Sequence, residues 1–141
     1  MYQTTIFWPV AALMGWTLLV LLLIPWRRLR AAFAGQLTAE DFRCGESERV
    51  PAQVRLPNRV FMNLLEVPLL FYVLALMLFV IHAVDGLFLS LAWAYVALRV
   101  LHSLIYLTYN HVMHRLLAFA ASNLLVAGIW LRFVVVVLGG H

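Results

Sequence analysis

Four apolar runs, each long enough to cross a lipid bilayer, limit what this chain can become. They cover about residues 5–28, 58–83, 86–109 and 112–138. Roughly 20 apolar residues at about 1.5 Å each cross a hydrocarbon layer of about 30 Å. Inside that layer every backbone N–H and C=O must bond within the protein, so such runs become helices. The connections at Val84–Leu87 and Tyr109–His111 are short, which makes the spans they join antiparallel. The expected fold is all-α: an up-down, integral membrane four-helix bundle, one domain over residues 1–141 with no separate soluble module. Composition agrees, with 65% hydrophobic residues against the roughly half of a soluble domain.

Residues 1–26 carry no charged side chain. A signal peptide needs a basic start and a small-residue cleavage site, so the first run reads as an uncleaved spanning helix. Trp8, Trp16 and Trp26 suit interfacial anchoring. All ten basic residues are arginine, and seven of them (Arg27, Arg28, Arg30, Arg43, Arg49, Arg55, Arg59) lie between or just beside the first two spans. That clustering marks a topology signal and a surface for lipid headgroups or an anionic ligand, not a nucleic-acid stripe. The positive-inside rule places the loop at residues 29–57 in the cytoplasm, together with the turn that holds His111, His114 and Arg115. Arg132, near the other end of the fourth span, can snorkel.

Within the loop, four acidic residues (Glu40, Asp41, Glu46, Glu48) mix with arginine, and a short amphipathic turn is expected around Leu37–Phe42. Cys44 is the only cysteine, so an internal disulfide is excluded. With no base beside it, Cys44 reads as an incidental thiol rather than a nucleophile. Asn58 is the expected cap of the second span. Pro68 removes a backbone donor from that span, frees the carbonyl of Leu64 and predicts a kink one turn from Glu66.

Polar side chains in the spans are costly and need a reason. Arg59, Asn63 and Glu66 recur at i, i+4 and i+7, on one helical face. Arg99, His102 and Tyr106 recur at i, i+3 and i+7, with Tyr109 a turn further. Counted from the loop side, Glu66 lies ~12 Å deep and Arg99 ~15 Å. An unpaired charge there costs at least ~2.5 kcal/mol, so an ion pair between Glu66 and Arg99 is expected. It would close the bottom of an arginine-rich cleft that also holds Asn63, His102, Arg59, Tyr106 and Arg115. Each piece also has a bland explanation: helix glue, an interior histidine, interface aromatics, a helix-end arginine. Their coincidence on two facing stripes favours a ligand site. His111 and His114 have no acidic neighbour and read as solvated turn residues, so no metal site is expected. There is no glycine-rich phosphate loop, no Ser-His-Asp order and no carboxylate dyad.

The two motifs, RVFMNLLEVP and, some thirty residues on, RVLHSLIYLTYNHVMHR, resemble those of MAPEG, the membrane-associated proteins in eicosanoid and glutathione metabolism. Arg59, Asn63 and Glu66 match the helix-two signature RxxxNxxE. Arg99, His102 and Tyr106 are similar to the RxxHxxxY of its prostaglandin-E synthase branch, and Arg115 stands where that branch has a thiol-activating arginine. The segment Arg28–Ala34 also resembles the one that follows the family's first helix. Phe119 departs from the tyrosine common one turn beyond that arginine. The resemblance implies a left-handed bundle, a homotrimer, and glutathione bound between subunits by Arg59, Asn63, Glu66, His102, Tyr106 and Arg115. Small lysine-free chains of this kind look bacterial, which implies an inner-membrane location.

The chemistry that follows is glutathione-dependent transfer or peroxide reduction on a lipophilic substrate arriving from the bilayer. Arg59 and Arg115 suit the two carboxylates and Glu66 the ammonium. Arg115 would lower the thiol pKa while Tyr106 donates to the sulfur. A different class of function stays open: a non-enzymatic accessory subunit of a larger membrane complex, with purely structural polar stripes. A proton path through Glu66, Arg99 and His102 finds few titratable groups in the outer halves of spans two and three.

Overall fold

The computed structural model describes residues 2–140. A short 3-10 turn, Gln3–Ile6, leads into α1 (Phe7–Phe33). The second span is two helices, α2 (Ala52–Leu65) and α3 (Pro68–Val80), followed by α4 (Gly86–Leu107) and α5 (Val112–Leu138). Among the described residues, four helical stretches are long and apolar enough to cross a membrane: Gln3–Phe33, Ala52–Val80, Gly86–Leu107 and Val112–Leu138. The all-α four-helix architecture expected from the sequence is the one observed. The protein is an integral membrane protein.

The helix ends differ from the sequence-based expectation for identifiable reasons. Helix α1 runs five residues past Arg28 to Phe33. Its extra turn is stopped by Gly35, which has φ +72°. The Gly35 N–H donates to the Ala32 carbonyl and the Gln36 N–H to the Ala31 carbonyl, at 2.9 and 3.0 Å. This is the left-handed closing pattern that favours glycine. The extension is held from outside by Arg28, which pairs with Glu46 at 2.7 Å, and by Ala31 packing with Leu37, Val50 and Val54.

Helix α2 begins at Ala52, six residues before the expected cap at Asn58, and takes Pro57 into its interior. Pro57 cannot donate to the carbonyl of Gln53, which would normally be left open. Arg27 Nη1 of α1 donates to that carbonyl at 2.8 Å. An arginine read from the sequence as headgroup-facing therefore completes a neighbouring helix. The amphipathic turn of the loop is a 3-10 turn at Ala39–Phe42, in which Thr38 and Asp41 cap each other. The Thr38 backbone N–H bonded to Asp41 holds that carboxyl below the ordinary carboxylate range.

The kink at Pro68 is present. Helix α2 ends at Leu65, and Glu66, with ψ −92°, leaves the helical region. The next turn is tighter, with Leu69 N–H donating to the Glu66 carbonyl at 3.2 Å. At the far end Asp85 caps α4 by accepting from the Phe88 N–H at 2.8 Å. Asp85 also takes both Nη atoms of Arg132 from α5, at 2.8 and 2.6 Å. Arg132 thus forms a forked ion pair rather than snorkelling alone. The interior runs the length of the bundle and includes Leu13, Val60, Leu64, Phe71, Leu78, Phe88, Tyr95 and Ile129.

Candidate functional site

The loop-side half of the bundle brings α2, α4 and α5 together. Asn63 comes from α2, His102 and Tyr106 from α4, and Arg115 and Phe119 from α5. These five side chains, with Val112 and Leu116, line one cavity of about 270 Å³. The positions fit the helical period: His102 and Tyr106 share a face, as do Arg115 and Phe119. One residue of the α2 stripe, Asn63, therefore meets two of the α4 stripe, His102 and Tyr106, in one cavity.

Arg115 sits at the mouth. Its guanidinium lies over the Tyr106 ring, 4.2 Å from the centroid, and its Nη1 donates to Asn110 Oδ1 at 2.8 Å. Asn110 occupies the left-handed region at φ 47°, which asparagine tolerates better than most residues. The turn before α5 therefore both reverses the chain and aims an amide at Arg115. One turn deeper, His102 is buried, and its Nδ1 lies 3.2 Å from the Arg115 carbonyl. A carbonyl only accepts, so Nδ1 carries the proton in that bond. In the neutral ring Nε2 is then an acceptor, and it is buried with no partner among the described residues.

Arg99 is wholly buried, at 0% exposure. The expected ion pair with Glu66 does not form. Arg99 Nε donates to the Tyr95 hydroxyl at 3.1 Å, and Nη2 donates to Asn123 Oδ1 at 3.0 Å. Its guanidinium also lies over the rings of Tyr95 and Phe119, at 5.6 and 5.4 Å. Glu66 is exposed, and among the described residues it makes no ion pair. Matching the two by depth ignored rotation about the helix axis. The break at Pro68 follows directly on Glu66, and α4 packs most extensively on α5, so α5 supplies the nearest partner for Arg99. Arg59 is exposed on the same side of α2 as Glu66. Of the seven sequence-derived residues, four line the cavity, Arg99 lies behind it, and Arg59 and Glu66 face outward within a single chain.

Over residues 6–135 the sequence matches the model of the MAPEG family. The chain belongs to the MAPEG family. Neither the curated proteins nor the solved structures give a match to it. The MAPEG assignment rests on the whole spanning region, which contains every residue of the cavity. Three residues that bond to members of this candidate site or to Arg99 behind it escape sequence reasoning: Asn110, Tyr95 and Asn123. Asn123 carried a signal, being the one amide in the apolar run of the last span.

A second hollow, about 690 Å³, lies between α3 and α5 and is walled by Val67, Leu70, Val73, Met77, Val126 and Trp130. Asn123 is its one polar wall residue. His111 and His114 lie at the surface with ring centroids 4.4 Å apart, and Tyr109 Oη is 3.1 Å from His114 Nδ1.

Proposed function

We propose that this MAPEG protein activates the thiol of glutathione against a lipophilic electrophile or lipid hydroperoxide at the cavity of Asn63, His102, Tyr106 and Arg115. The observation that carries the reading is the charge of that region. Arg115 lines the cavity and Arg99 lies behind it, and among the described residues neither has a carboxylate partner. Glutathione brings two carboxylates and an ionisable thiol, which together match such a surplus of positive charge.

In this reading Arg115 and Tyr106 act on the sulfur. The guanidinium favours the thiolate electrostatically and the Tyr106 hydroxyl donates a hydrogen bond to it. The thiolate then attacks the electrophilic atom of the second substrate. A new C–S bond forms, and the displaced electron pair leaves with a departing group or is protonated. With a hydroperoxide, the sulfur attacks the terminal oxygen and the O–O bond breaks, giving a sulfenic acid and an alkoxide that leaves as the alcohol once protonated by water. A second glutathione then resolves the sulfenic acid to a disulfide and water. Asn63 and the free Nε2 of His102 hold polar atoms of the peptide backbone. Arg59 takes a carboxylate and Glu66 takes the ammonium.

Arg59 and Glu66 reach the same ligand only if their outward face is covered by another copy of the chain. A carboxylate left facing lipid within a spanning segment costs at least ~2.5 kcal/mol, so covering is favoured on energetic grounds as well. A homotrimer with the ligand between subunits meets both demands. The arginine-rich loop then faces the cytoplasm, and the apolar substrate enters from the bilayer.

Adding glutathione to the purified protein in detergent should produce thiolate absorbance in the ultraviolet, and a panel of electrophiles and hydroperoxides should be consumed. An absence of glutathione binding at millimolar concentration would overturn the proposal.

A further inference from the structure

A fully buried arginine normally finds a carboxylate, because an uncompensated charge away from water is expensive. Arg99 has only neutral partners: the Tyr95 hydroxyl, the Asn123 carbonyl oxygen and the faces of Tyr95 and Phe119. Its third nitrogen, Nη1, is buried with no acceptor among the described residues. Asn123 is isosteric with aspartate, and an aspartate there would complete a forked ion pair of the kind Asp85 makes with Arg132. An amide in that position fixes the guanidinium without cancelling its charge.

We infer that Asn123, assisted by Tyr95, is a positioning residue that keeps Arg99 a buried cation without a counter-ion, so that an anionic group of the bound ligand supplies the missing charge. Phe119 connects this cation to the cavity. Its ring lies 5.4 Å from the Arg99 guanidinium and 5.6 Å from the His102 ring, and it lines the cavity itself. Arg99 Nη1 and His102 Nε2 are the two buried atoms of this region left without partners, one turn apart on α4. Arg99 is closed off from the cavity, so an anionic group bound there is drawn to its guanidinium through space past Phe119, and a donor group of the same ligand satisfies His102 Nε2. Asn123 also lines the apolar hollow between α3 and α5. The neutral amide therefore stands between the cation and the lipid-facing groove, where a carboxylate would attract cations and repel anionic substrates. The identity of the anion as part of glutathione rests on the function proposed above; the uncompensated state of Arg99 does not.

The test has a stability arm and a binding arm. Thermal unfolding in detergent is compared for the wild type, Asn123→Asp, Asn123→Gln and Arg99→Met. Asn123→Asp supplies the absent counter-ion, and Arg99→Met replaces a buried cation by an apolar chain of similar length. Both are expected to unfold at or above the wild-type temperature. In calorimetric titration with glutathione, both should lose affinity by roughly tenfold, the loss of one through-space attraction to a buried cation, while Asn123→Gln retains binding. Unfolding of both Asn123→Asp and Arg99→Met below the wild type would overturn the inference, because Arg99 would then already be compensated. Glutathione affinity of a stable Asn123→Asp within about twofold of wild type would overturn it as well. If the wild type itself binds no glutathione, the functional proposal falls, and the stability arm still decides the state of Arg99.

Discussion

Removing Arg115 should raise the pH at which bound glutathione becomes a thiolate by one to two units, roughly. The guanidinium carbon is 4.2 Å from the centre of the Tyr106 ring. A sulfur bonded to the Tyr106 hydroxyl therefore lies on the order of 6 Å from the positive charge. At that distance and an effective dielectric constant of about 20, the attraction is ~3 kcal/mol, or ~2 pH units. Arg115 is half-buried rather than enclosed, so screening trims the effect toward the lower end. Arg115→Ala should then leave ten- to a hundredfold less thiolate at neutral pH, roughly, with a parallel loss of kcat. Arg115→Lys keeps the charge but loses part of the contact with Asn110, and should retain most of the shift. The assay is ultraviolet titration of the thiolate against pH at saturating glutathione, so that weaker binding does not masquerade as weaker activation. If Arg115→Ala binds glutathione and titrates at the wild-type midpoint, Arg115 does not activate the sulfur, and the electrostatic reasoning is wrong.

Three further outcomes follow from the structure. The Arg132 guanidinium bonded to Asp85 pulls its carboxyl down from 3.8 to about 2. A lowered carboxylate pKa gives stability that is present above pH 4, roughly, and lost as the pH falls through about 2. Because the Asp85 side chain is 48% exposed, solvent screening leaves that contribution at ~1 kcal/mol or less. Asp85→Asn should remove this acid-dependent step from denaturation curves, and an unchanged acid limb would refute it. Pro68→Ala restores an N–H four residues after Leu64 and should straighten the second span, shifting Asn63 against His102 and raising the KM for glutathione by roughly tenfold with little change in unfolding temperature. Unchanged kinetics would mean that the kink does not position the site. Light scattering in detergent should give a protein mass of three 16.1 kDa chains, since Arg59 and Glu66 need a covered face; a single-chain mass would contradict the shared-site arrangement.

Hydropathy by itself dictated the spanning helices, because a bilayer leaves backbone groups no partner except their own helix. Pro68 likewise announced the kink, since a missing N–H acts locally. The helical period put Asn63 on one polar face and His102 with Tyr106 on another, because which residues share a helical face is a property of spacing alone, while Arg115 joined them only through its place beside the loop-side turn and the family resemblance. Spacing could not say how each helix turns about its own axis. That rotation is set by packing between elements far apart in sequence. It decided that Glu66 faces outward and that Asn123, not Glu66, holds Arg99. It also decided that Arg27 completes the hydrogen bond Pro57 cannot make, since a freed carbonyl is capped by whatever donor the fold brings near. Local periodicity thus named the polar stripes, and only tertiary contact fixed which of their members meet.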